Sequence, residues 1–338
     1  MSKIGIYMNG NYAEILKYLP DFLEEHEFVA YCQNGPSNDL IKNSPKFKNS
    51  FYLYENFNLK ISTLNFKELR ESIPFNLFRI SLSDKSHFKR LSGKSHEKVL
   101  LTMYSIMNEW FEKSNPDVVF LPIIESIDSM MLYDIAKSRN IKTICYCHAR
   151  QVNRSFFSDT YLELLPSFSK NIKAKQEYIE SASDFLAKFR NDSSILNYQN
   201  QLAKLYSDFQ IKDQLPNSKR LSLISRFVRK VKLKLTSEKW NQLSLFYNKF
   251  LVTIESFLVP FQKQIYLVFE KLYMRPLDSL PEHFDYFPLH FSPESSINTP
   301  APFYIDQMRV IDEIMLNRDS NHILIVKEHP AMYLKRNF

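Results

Sequence analysis

Several side chains in this 338-residue chain have types and spacing suited to chemistry, and most of them follow short apolar runs. Lys327-Glu328-His329-Pro330 comes directly after Ile323–Val326. Where a strand ends and a helix begins, unpaired backbone N–H groups and a partial positive charge face the turn. Pro330 suits the first helical position, where a missing N–H costs nothing. His329 can donate a hydrogen bond to a phosphate and stabilise a leaving group as its charge develops, and Lys327 can add a cation. The plainer alternative is a histidine that caps the turn and a solvated lysine. Glu294, in Ser-Pro-Glu-Ser-Ser, suits helix capping by its position alone. Glu125 follows Val118–Pro122 and is the candidate catalytic carboxylate, able to deprotonate a hydroxyl or stabilise a cationic centre. An acid there also complements a helix dipole, although Asp128 fits that role better. His148 and Arg150 follow the next apolar run, where they can reach a phosphate or a second substrate.

These residues need a scaffold, and the flanking patterns supply one. Residues 3–8 predict a buried strand, 9–11 a turn, 12–25 a helix carrying Ile15, Leu16, Leu19, Phe22 and Leu23, and 28–31 a second strand. That is how a doubly wound parallel sheet opens. Residues 36–97 give no clear pattern, and 97–113 return to a helix with Leu100, Met103, Ile106, Met107 and Trp110 on one side. A turn at 115–117, a strand at 118–122, a helix at 127–138, a turn at 139–140 and a strand at 141–147 form a βαβ crossover. Ligands bind beyond the carboxyl ends of such strands, where Glu125, His148 and Arg150 fall. Residues 155–275 read as mainly helical. A strand at 284–291, a helix at 305–317 and a strand at 323–326 then open a second βαβ unit.

Three segments resemble the bacterial capsule-polysaccharide biosynthesis family, which includes Kdo transferases. They are Tyr286-Phe287-Pro288-Leu289-His290-Phe291-Ser292-Pro293-Glu294, then Tyr304-Ile305-Asp306-Gln307, then Ile325-Val326-Lys327-Glu328-His329-Pro330. The stretch from Asn115-Pro116-Asp117 to Ile141-Lys142-Thr143, with Tyr133–Lys137 in its helix, is similar to that family's first domain. The resemblance implies an α/β, GT-B-like fold of two Rossmann-like domains with a helical insertion. Residues 1–154 are then the acceptor-side domain, 155–283 the insertion, and 284–338 the start of a nucleotide-sugar domain that is incomplete at this length. The implied function is transfer of a sugar, Kdo from a CMP-sugar, to a growing glycan or lipid-linked acceptor. His329, Pro330, Lys327 and Glu294 would bind the nucleotide-sugar donor, which is a substrate; neither a bound cofactor nor a metal is implied. Ser292 stands where the family usually has glutamine. Two alternatives remain: a nucleotide-activated glycerophosphotransferase of teichoic-acid type on the same scaffold, and a non-catalytic remnant or subunit.

Composition narrows the field further. Only four glycines occur, none after Gly93, so the chain has neither a Walker loop nor a G-x-G-x-x-G fingerprint. The net charge of +7 is local: eight of the 44 basic residues and one of the 37 acidic ones lie in 216–239, leaving 36 of each elsewhere. There Leu221, Ile224, Phe227, Val228, Val231 and Leu235 share a helical face opposite Arg226, Arg229 and Lys230. Such a stretch can lie on an anionic inner-membrane surface or pack on the protein with its basic face solvated. Balanced charge elsewhere argues against nucleic acid as a partner. Cys32, Cys145 and Cys147 lack metal-ligand spacing, and the last two, inside a strand, are expected as small buried side chains. Neither a leader peptide nor an uncharged apolar run of membrane-spanning length is present, so the expected location is cytoplasmic, peripheral to the inner membrane.

Overall fold

The computed structural model describes residues 1–55, 57–82, 93–122, 124–148, 155–161, 173, 175–191, 265, 267–268, 272, 280–291, 295–299, 301–318 and 322–329. Arg150, Glu294, Pro330 and the basic stretch 216–239 therefore lie outside the described residues.

Ile4-Gly-Ile-Tyr-Met carries no charge, as suits a strand covered on both sides. It forms most of β1 (Lys3–Met8), the middle of a six-stranded sheet with β2 (Glu27–Cys32), β3 (Phe47–Tyr52), β4 (Val118–Leu121), β5 (Lys142–His148) and β6 (Ser155–Ser158). The order is β3-β2-β1-β4-β5-β6. Every pairing is parallel except β5 with β6. Along β1 the side chains alternate between two cores. Tyr7 faces a cluster with α6 (Gly93–Ser114) and α7 (Ile127–Ser138), while Ile6 and Met8 face α1 (Gly10–Leu16) and α2 (Gly35–Ile41). The chain is thus α/β, with a mostly parallel sheet and helices on both faces, compatible with a Rossmann-like fold.

Close packing explains individual residues. Gly5 lies beneath Trp110 of α6, and a Cβ there would come within 2.8 Å of the indole. Helices α6 and α7 stop at asparagines with positive φ, Asn115 at 43° and Asn140 at 56°. At Asn140 the pattern is a Schellman motif: its N–H donates to Lys137 O at 3.1 Å, and Ile141 N–H to Ala136 O at 2.9 Å. Asp117 then registers β4 on β1, because its carboxylate accepts from Lys3 N–H at 2.7 Å and its own N–H donates to Lys3 O at 2.8 Å.

Several expectations need correction. The helix expected over 12–25 is short: α1 ends at Leu16, and Pro20 sits in a separate 3-10 turn, Leu19–Asp21. Ile15 and Phe22, two of the apolar residues at helical spacing there, are 70% and 80% exposed. The unassigned stretch 36–97 holds α2, β3, α3 (Phe57–Thr63), α4 (Phe66–Ser72), α5 (Leu77–Leu82) and the start of α6. Residues 155–158, placed in a mainly helical region, are instead the antiparallel edge strand β6; four residues are too few for a periodic signal. Just beyond it, Tyr161 and the buried Asp134 of α7 both accept from Arg79 of α5, tying three segments together. Further on, α8 spans Gln176–Asn191. Cys145 is buried, but Cys147 is only half-buried.

The second βαβ unit is present, with its first strand ending at Pro288 rather than at 291 and its main helix starting at Gln307 rather than at 305. β7 (Phe284–Pro288) pairs in parallel with β8 (Ile323–Lys327). Between them come the single turn α9 (Ser295–Asn298) and α10 (Gln307–Asn317), whose N-cap Asp306 accepts from Met308 N–H and Arg309 N–H.

Candidate functional site

In a sheet of this order the connections leave β1 and β4 toward opposite faces, so the switch point where ligands bind in such sheets lies between their carboxyl ends. After β1, Gly10 takes φ +48°, a conformation natural to glycine, and α1 begins. After β4, the turn before α7 is set by a capping box. Ser129 Oγ accepts from Glu125 N–H and Ser126 N–H, both at 3.1 Å, with Ser126 as N-cap. This fixes the backbone of Glu125 and leaves its side chain exposed.

Beneath the turn, Tyr7 donates to Asp128 Oδ2 at 2.7 Å and lies 3.5 Å from Ser126 Oγ. Burial, and next the Asp128 charge, push the Tyr7 hydroxyl well above its usual range. Tyr31, opposite Tyr7 in β2, is shifted the same way, chiefly by burial. Asp128 is 2% exposed, so it anchors the start of α7 to β1 and is unavailable to substrate. Of the two acids considered from sequence, Glu125 is the one that reaches solvent. His148 ends β5, the next strand along, opposite Ser155.

The second edge lies at the carboxyl ends of β7 and β8. Register sets Pro288 opposite Lys327, and Leu289 N–H donates to Lys327 O at 2.8 Å. The two chain segments leave the sheet together, and the His329 ring packs edge-on against Phe291 with centroids 5.8 Å apart. His290 and Lys327 are exposed beside them, and His329 is half-buried. Gln307 holds this edge: its Oε1 accepts from His290 N–H at 2.6 Å and its Nε2 donates to His290 O at 3.4 Å. The Asp-Gln pair thus has a visible function, one residue capping α10 and the next clamping the exit of β7. The backbone N–H groups here are used within the protein, His329 N–H donating to Glu328 Oε1 at 2.7 Å, so the imidazole and the ammonium are the groups that suit an anion.

Sequence reasoning missed Tyr7, Ser126 and Ser129, and it named Phe291 within a motif without its contact to His329. A Ser-x-x-Glu box would have flagged the α7 start, but Ser129 stands where the acid is usual. A separate cleft of about 290 Å³ lies beside β3, lined by Phe51, Lys60, Glu109 and Lys113 among others. Its charges satisfy one another: Lys113 and then Lys60 hold the Glu109 carboxyl below its ordinary value. Among the described residues, no cluster of three or more His, Cys, Asp or Glu is placed to hold a metal, and no helix is long and apolar enough to cross a membrane. No protein-family model matches the chain, and no curated protein sequence matches it either.

Proposed function

We propose that the chain is a glycosyltransferase-like protein of capsule or surface-polysaccharide synthesis, with GT-B architecture and a CMP-linked sugar such as Kdo as donor. One observation carries the reading. The described parts of the two separated motifs, Tyr286–Phe291 and Ile325–His329, come together through β7 and β8 so that His329 packs on Phe291 beside Lys327. A parallel-strand edge with these groups suits a nucleotide phosphate.

In this reading the glycosidic C–O bond to the donor phosphate breaks, and the electron pair leaves with the nucleotide. His329 donates to the phosphate as charge develops, and Lys327 adds a cation. Glu125 takes the proton from the attacking acceptor hydroxyl, which bonds to the anomeric carbon. The two edges must face one another for transfer, with the acceptor as a glycan or glycolipid. Peripheral attachment to an anionic inner-membrane surface through 216–239 belongs to the same proposal.

Calorimetric titration of the full chain with CMP, UDP and CDP-glycerol tests the donor class. Selective CMP binding is the expected result. Selectivity for CDP-glycerol would replace the sugar-transfer reading with glycerophosphate transfer, and binding of none of the three would overturn both.

A further inference from the structure

A row of aromatic rings lies on the α1 face of the sheet, near the carboxyl end of β4 that Glu125 follows. Leu121, the last residue of β4, is level with Cys145, so Tyr146 lies beyond the end of β4 at the carboxyl edge. Phe157 of β6 sits opposite Tyr146, with ring centroids 5.7 Å apart, and 6.0 Å from the Phe120 ring of β4. Tyr12, in the first turn of α1, reaches Tyr146 at 6.3 Å. Tyr12 and Phe120 both pack with Ile6 and Met8, so the row lies on the α1 face of the sheet near the carboxyl ends of β4 and β5. Tyr12 and Tyr146 are half-buried, and Phe157 is 48% exposed, so the row presents ring surface to solvent at the edge that carries Glu125.

We propose that Tyr12, Tyr146 and Phe157 form a saccharide-stacking platform, the acceptor subsite of the transferase, and its role as acceptor subsite rests on the transferase reading. The face of an aromatic ring is electron-rich and attracts the weakly positive C–H face of a pyranose. The hydroxyls of that sugar then project from the rim, where the exposed Glu125 can accept from one of them. The same carboxylate, with Asp128 buried beneath the turn, repels a phosphate, so the edge suits a polyhydroxylated ring better than a nucleotide. Division of labour follows: sugar acceptor at the β4–β5 edge, nucleotide at the β7–β8 edge.

The test uses the full chain on a printed array of bacterial surface oligosaccharides, then calorimetry with the best-retained saccharide and, separately, with CMP. Phe157→Ala and Tyr12→Ala should each weaken saccharide binding by about tenfold or more. Phe157→Tyr, which keeps the ring face, should bind as wild type does, and so should Phe78→Ala, an exposed aromatic on α5. CMP affinity should be unchanged in all four. Saccharide binding by Phe157→Ala and Tyr12→Ala equal to wild type, or no saccharide retained by wild type, would overturn the platform. Saccharide binding that depends on the row in a chain that binds no nucleotide would keep the platform and remove the transferase.

Discussion

At the scale of single residues, burial decides which groups can react. Burial pushes the Cys32 and Cys145 thiols up to about 12, and Cys147 is raised but only half-buried. A thiolate-directed reagent near pH 8 should therefore modify Cys147 first in the native chain, as peptide mapping would show; early labelling of Cys145 would contradict the packing of β5. Burial acts on Tyr7 and Tyr31 in the same direction. Their hydroxyls ionise in the unfolded chain near 10 but only well above that in the fold. Folding then retains protons that the unfolded state releases, so stability holds below about pH 9 and falls as pH rises through the thiol and phenol range. Denaturant midpoints at about pH 8 and about pH 11 should show that loss, with a smaller drop in Tyr31→Phe. Tyr7→Phe also leaves Asp128 without its donor and should cost about 1–3 kcal/mol near neutral pH.

At the scale of elements, the strands around the switch point were legible and the segments that finish the site were not. β1, β4, α7 and β5 announce themselves by apolar runs between turn residues, and Asn115 and Asn140 stop their helices where the sequence places turns. The stretch 36–97 stayed opaque because the helices described there, α2 to α5, have six or seven residues each, too short to establish a period. β6 hid for the same reason, and with it the partner of Tyr146. Long-range contacts are likewise invisible in one dimension: nothing near Gly5 says that Trp110 will cover it. Gly5→Ala should cost about 1–3 kcal/mol by overpacking, measured as a lowered denaturation midpoint; an unchanged midpoint would mean that α6 does not sit tightly on β1. The Gln307 clamp makes a parallel case. Gln307→Leu removes both bonds to His290 and should speed hydrogen exchange at His290 N–H while leaving exchange in β1 and β4 unchanged.

At the scale of the whole molecule, two carboxyl-end edges carry the candidate groups, one offering a carboxylate and aromatic rings, the other an imidazole and an ammonium. The α/β architecture and the mostly parallel sheet are properties of the structure itself. The assignment of donor and acceptor to the two edges is the proposal built on them. The sequence motifs pointed to His329 and Lys327, and Glu125 was found from its place after β4. The partners that hold these groups came only from the fold, because Tyr7 and Asp128 are separated by 121 residues and His290 and Gln307 by 17. The most direct test of the central claim is CMP affinity measured by calorimetry in wild type, His329→Ala and Glu125→Gln full-length chains. CMP binding should weaken about tenfold or more in His329→Ala, as for loss of a charge-assisted phosphate contact, and stay unchanged in Glu125→Gln. CMP binding that is absent from wild type, or identical in His329→Ala, would contradict that claim.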